Sequence, residues 1–259
     1  MNKKNDPGSK TKPSEEEVKG SAIQAFFGFE NLRSLGLLIL IIFAFRWSVV
    51  SPYHVPTASM EPTIKVGDRL LAFKLAYNFK IPFTDTVVAE WGTPQRGDII
   101  VFRYPRDPDI DYVKRVIGVA GDKIQIRDDV VHINGETQFR ENHDHDRSVL
   151  EDIKDPKEIK HLYRETLNSV DHWVMQNRPS HRQFTSINWP LNGEPYIVPD
   201  NSVFVMGDNR DNSTDSRAWN EVPLSYIRGK ALFVIWSMYT PTGESWPTVR
   251  WYRFGHVLR

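Results

Sequence analysis

The sequence predicts a mainly β protein: an antiparallel β-sheet domain carrying a polar insertion and preceded by one N-terminal transmembrane helix. Three observations lead there. Beyond Pro52, short runs rich in Val, Ile, Phe and Tyr recur between turn residues, with no strand-helix-strand alternation. Between Glu136 and Glu194 that pattern lapses into polar residues with many His, Asp and Lys. Ahead of both, Leu35 to Phe45 is apolar throughout apart from Gly36.

Taken in order, Met1 to Lys19 is rich in Lys, Glu, Pro, Ser and Gly without an apolar period, the composition of a solvated, disordered tail. In Ser21 to Phe29, Ile23, Phe26 and Phe27 fit one face of a short interfacial helix, and a plain linker fits as well. We assign 1–33 to a cytoplasmic tail and juxtamembrane segment and 34–51 to the transmembrane helix. As one helix of about 16 residues the apolar run reaches about 24 Å, short of the roughly 30 Å hydrocarbon core. Arg46 can snorkel beside Trp47 to make up part of the difference. A buried soluble helix and a cleaved leader are the alternatives. The long stretch before the run and the lack of a small-x-small site after it argue against a leader. Lys and Arg flank the run almost evenly, with a slight bias toward an inside N-terminus.

The strand-like runs are 69–73, 98–102, 111–117, 123–126, 130–133, 202–206 and 230–236. Arg127-Asp128-Asp129 and Asn134-Gly135 mark turns. The β domain is thus expected over 52–135 and 195–259, with 136–194 inserted as a lid and a helix over 156–169.

The chain has 259 residues, 40% hydrophobic and 25% charged, enough for one sizeable core. Lys plus Arg and Asp plus Glu balance at 33 each, so no concentrated positive charge steers nucleic acid, which is excluded as a partner. With no cysteine, disulfides, thiolate catalysis and thiolate metal sites are excluded too. His143 and His145 flank Asp144 without an evident third ligand, which favours a solvated loop over zinc. No metal and no cofactor is expected. The Trp and Tyr residues after Lys230, among them Trp246 and Trp251, suit either β core or a lipid interface.

Chemistry concentrates in three places. Ser59 lies between Pro56 and Pro62, in a loop whose prolines restrict the backbone around the hydroxyl. Lys114 follows Val113 and precedes Val116 and Ile117 within a strand-like run. A serine needs a neighbouring base, and lysine serves once it loses its charge. An exposed lysine is neutral less than roughly one part in a thousand of the time at pH 7, and lowering its pKa by about 3 costs about 4 kcal/mol, which burial supplies. The Ser59 N–H and the Thr57 hydroxyl fit an oxyanion site. The third place is the loop from Met206 to Trp219, where Asp215 and Arg217 suit a fork-like ion pair shared with Arg115.

Four stretches in order, Ser59-Met60-x-Pro62-Thr63, Arg96 to Phe102, Tyr112-Val113-Lys114-Arg115-Val116, and Gly207-Asp208-Asn209 through Asp215-Ser216-Arg217, resemble the signature of bacterial type I signal peptidases. The resemblance implies a single-pass serine endopeptidase of the cytoplasmic membrane, its β domain on the outer face, that removes signal peptides from exported preproteins. Its partners would be those signal peptides and the lipid bilayer. It implies Ser59 as nucleophile, Lys114 as general base and Thr57 at the oxyanion. Ser213 would hydrogen-bond the lysine amine, with Asp215, Arg217 and Arg115 bracing the site. Val55, Met60, Ile64, Tyr112 and Val113 would line shallow pockets selecting an Ala-x-Ala sequence. Thr57, Ala120 and Asn220 depart from the family's usual serine, proline and glycine. The rival readings are a self-cleaving Ser/Lys regulator, which needs no anchor, and a noncatalytic tethered β module.

Overall fold

The computed structural model describes residues 29–81, 84, 86–153, 160–177, 189–190, 193–241 and 244–259. The expected tail over 1–19 and nearly all of the 21–29 segment lie outside them, as does part of the insertion. The chain divides into two compact units, 1–46 and 47–259.

Helix α1 covers Phe29–Ser48. Leu35, Leu37, Leu38, Ile39, Leu40, Ile41, Ile42, Phe43 and Phe45 are all exposed, so apolar surface runs around the whole helix. Glu30, Arg33 and Arg46 bracket that stretch, which leaves about 18 Å of uncharged helix. Among the described residues no helix is long and apolar enough to cross a membrane. The expected 34–51 segment is also corrected at its end, because the helix stops at Ser48 and residues 50–54 form a strand. Pro52 lacks the N–H that would continue a helix, and Val49-Val50 favours extended backbone.

The main strands are β1 Val50–His54, β2 Asp68–Phe73, β3 Ile99–Tyr104, β4 Asp107–Val119, β5 Lys123–Arg127, β6 Val130–Ile133, β7 Lys160–Leu167, β8 Val170–Asn177, β9 Ser202–Met206 and β10 Ile227–Tyr239. The large antiparallel sheet runs β1-β2-β10-β3-β4-β9 and ends on Val222–Pro223, while Thr248–Val249 adds to β10. Strand β10 is long enough to serve two neighbours, and bulges at residues 231–233 and 234–236 bend it along β2.

Alternation along the strands sends side chains to opposite faces, and each face has its own core. Val55, Leu70, Ile99, Val101 and Val234 pack together, Ile100, Phe102, Val116, Val205 and Trp219 form a second cluster, and Ile117, Ile124, Val131, Leu167 and Phe204 a third. Asp128-Asp129 and Asn134-Gly135 both have positive φ, the backbone of tight hairpin loops, and β5, β6 and Glu136–Thr137 fold back on one another there.

The helix expected over 156–169 is not found in the described part of that range. Instead β7 and β8 form a hairpin with Arg140–Asn142 alongside. Asn168-Ser169, both with positive φ, closes it as a two-residue loop. Tyr163, Glu165 and Leu167 are buried and alternate with half-buried Arg164 and Thr166, a period of two that a helix cannot present. The hairpin also contacts the site directly, since Met175 N–H donates to the Asp208 carbonyl at 2.8 Å. It is a wall of the core rather than a lid.

A serine and a buried lysine at the edge of an open cleft

The pairing of β3 with β4 sets Ile100 opposite Lys114 and Ile99 opposite Arg115, so the two basic side chains leave opposite faces of β4. Lys114 turns toward the loop between β1 and β2, where its Nζ lies 2.7 Å from Ser59 Oγ and 3.0 Å from the Val113 carbonyl oxygen. It is 3% exposed and Ser59 is 9% exposed. Loss of water around the ammonium is the largest influence on it and lowers its pKa from 10.5 to about 8. Asp215 and Asp208 act in the other direction, and Arg217 again lowers it. Tyr112, two residues earlier on the same face, places its ring 5.2 Å from the amine.

Asn209 secures the serine loop. Its N–H donates to the Ser59 carbonyl at 3.1 Å and its Nδ2 to the Ala58 carbonyl at 3.1 Å. Gly207 lets the loop approach this closely, because a Cβ there would lie 2.4 Å from the Ser59 carbonyl oxygen and 2.3 Å from Ser213 Oγ.

On the far face of β4, Arg115 is fully buried and forks onto both carboxylate oxygens of Asp208 at 2.8 and 2.7 Å, with a third bond to the Gly97 carbonyl at 2.9 Å. Burial alone would raise the Asp208 pKa, but the Arg115 guanidinium outweighs it and holds it down. Asp215 accepts from Arg217 Nε and Nη2, both at 2.8 Å, and from the Gly207 N–H at 3.0 Å, and it caps the short helix Ser216–Trp219. The expected sharing of Arg115 with this pair is corrected: its partner is Asp208.

A cleft of about 450 Å³ opens along this edge, lined by Val55, Thr57, Ser59, Tyr112, Val113 and Lys114 among others. Two expectations change here, and a third is left standing. Met60 and Ile64 have no exposed surface and belong to the core rather than to the cleft lining. Ser213 does not bond the lysine: its hydroxyl is shut from solvent and lies beside the Asp215 carboxylate, which it helps hold ionised. Thr57 lines the cleft, and neither its hydroxyl nor the Ser59 N–H takes part in a hydrogen bond among the described residues.

The sequence reading assigns no site role to Asn209, Gly207, Arg210 or Glu165. The first three stand inside the loop from Met206 to Trp219, where tight turn residues give a signal. Glu165 gives none, since nothing local marks a glutamate on a polar strand as fully buried.

A serine hydroxyl against a buried amine, at the wall of a cleft open enough for an extended chain, is the arrangement of a serine hydrolase. Comparison with known proteins narrows the class. Residues 29–236 match the family described as signal peptidase, peptidase S26, and the chain belongs to that family. It is 36% identical over 225 residues to signal peptidase I of Pseudomonas fluorescens, covering 81% of this chain and 70% of that one. Signal peptidase I of Pseudomonas aeruginosa is 35% identical with the same coverage, and that of Aquifex aeolicus is 34% identical over 82% of this chain and 86% of the relative. The chain is thus a serine endopeptidase of the kind that removes signal peptides.

Proposed function

We propose that Ser59 is the nucleophile and Lys114 the general base of this endopeptidase, and that it cuts signal peptides from exported preproteins after small residues. The 2.7 Å approach of a water-poor lysine amine to the serine hydroxyl carries the reading. Neutral Lys114 takes the Ser59 proton as Oγ attacks the scissile carbonyl carbon. Negative charge moves to the carbonyl oxygen, where the Ser59 N–H and the Thr57 hydroxyl are available to donate. Collapse breaks the peptide C–N bond, and the Lys114 ammonium returns the proton to the departing amine. Water then gives a proton to Lys114 while attacking the Ser59 ester, and the second collapse frees the carboxyl product and restores the hydroxyl. Asp215, Arg217 and Arg115 position the loops around the pair without touching the reacting atoms.

Val55, Tyr112 and Val113 line the cleft together with Ser59, and in this reading their side chains leave room for a small substrate residue and exclude a larger one. The apolar surface of α1 is suited to burial in the lipid bilayer, about one leaflet deep, on the outer side of a bacterial cytoplasmic membrane.

Incubation of the full-length protein in detergent with a model preprotein tests this. Wild type is expected to cut once, after a small residue, with Ser59→Ala and Lys114→Met both at background. Wild-type rates in either variant would overturn the assignment of the pair.

A further inference from the structure

We propose that Glu165, on the inserted β7-β8 hairpin, is a positioning residue for the Ser59–Lys114 pair and acts through Arg210. The inference rests on the reading of that pair as nucleophile and base. Glu165 is entirely buried, and its carboxylate accepts from Arg210 Nη1 at 3.1 Å and Nη2 at 2.5 Å. Arg210 is itself 3% exposed. His172 Nε2, from the neighbouring strand, lies 3.4 Å from Oε1, the oxygen that also accepts from Arg210 Nη2.

A buried ion pair of this kind contributes little net stability compared with apolar packing, because both ions leave water. What it does supply is direction, since a fork-shaped guanidinium meets a carboxylate in one plane. The geometry it sets reaches both members of the pair. Arg210 follows Asn209, whose two hydrogen bonds hold the Ser59 and Ala58 carbonyls. The Arg210 carbonyl accepts from Arg217 Nη2 at 2.5 Å, and Arg217 fixes Asp215, the carboxylate whose charge acts most strongly on the Lys114 amine. The same hairpin grips the loop a second time through Met175 N–H and the Asp208 carbonyl. One segment far from the serine in sequence therefore clamps the loop on both sides of Asn209. A displacement of about 1 Å at a reacting atom costs about 100-fold in rate, so a loose clamp registers in turnover before it registers in binding. No part of the clamp lines the substrate cleft.

The test compares wild type, Glu165→Gln and Arg210→Gln on the model preprotein. Glu165→Gln keeps the shape and one hydrogen bond but removes the charge-assisted fork. The expected result is a folded protein whose kcat falls at least tenfold with KM within about twofold, and the same split in Arg210→Gln. If either single variant does not fold because a charge is left unpaired, the double variant Glu165→Gln/Arg210→Gln, with two neutral amides of similar size, replaces it and is expected to show the same fall. Wild-type kcat in any folded variant overturns the proposal, as does a loss confined to KM. Ser59→Ala or Lys114→Met cutting at the wild-type rate would instead refute the assignment of the pair, and a wild type that fails to cut would refute the peptidase reading itself, so these failures are separable from that of the clamp.

Discussion

The sharpest prediction concerns the pH at which the enzyme turns on. Desolvation brings the Lys114 pKa from 10.5 to about 8, which at about 1.4 kcal/mol per tenfold corresponds to about 3 kcal/mol against the ammonium. Only the neutral amine accepts the serine proton. With a pKa of about 8, about a tenth of the molecules hold it at pH 7 and about nine tenths at pH 9. Measured as kcat/KM on a preprotein from pH 6 to 10, activity should climb about tenfold between pH 7 and 9 and then level off. An exposed lysine would behave differently, rising about 100-fold over the same interval and continuing past pH 10. A profile flat from pH 6 upward would show that Lys114 does not serve as the base. A profile still climbing steadily above pH 10 would show that burial does not set its pKa.

The same burial makes the lysine costly to the fold, so Lys114→Met is expected to abolish cleavage yet stabilise the protein by about 1–3 kcal/mol at pH 7. The sign follows from linkage: the folded pKa lies below the unfolded one, so the cost is present in full below about pH 8 and disappears as pH rises toward 10.5. Urea unfolding at pH 7 and pH 10 should therefore show the gain of the methionine variant shrinking at the higher pH. Asp208→Ala leaves the fully buried Arg115 guanidinium without its carboxylate, and urea unfolding should register a loss of about 3–5 kcal/mol. In Gly207→Ala the new methyl meets the Ser59 carbonyl oxygen, so the nucleophile must move. We expect a drop in kcat of about 10- to 100-fold with a stability loss of about 1–3 kcal/mol, and a variant with unchanged kcat would show that the loop tolerates the shift.

Much of this molecule is written locally. Runs such as Lys123–Arg127 and Val130–Ile133 carry β-branched residues at a period of two, and Asp128-Asp129 and Asn134-Gly135 supply the left-handed backbone their hairpins need, so strands and turns follow from neighbours in sequence. The hairpin of β7 and β8 was missed because its turn, Asn168-Ser169, lacks glycine and its inward face includes a glutamate, which makes a strand read as a polar surface.

The sequence by itself determined the mainly β class, the chemistry-bearing residues and their order along the chain, because those depend on residue type and short-range period. Only the tertiary structure decided that Lys114 faces Ser59 while Arg115 turns away to Asp208, that Met60 and Ile64 fill the core, and that Glu165 reaches the catalytic loop. Alternation along a strand says that two side chains part company without saying what each will meet. That depends on strand register and on which distant segments exclude water together, and such information resides in pairings between remote parts of the chain.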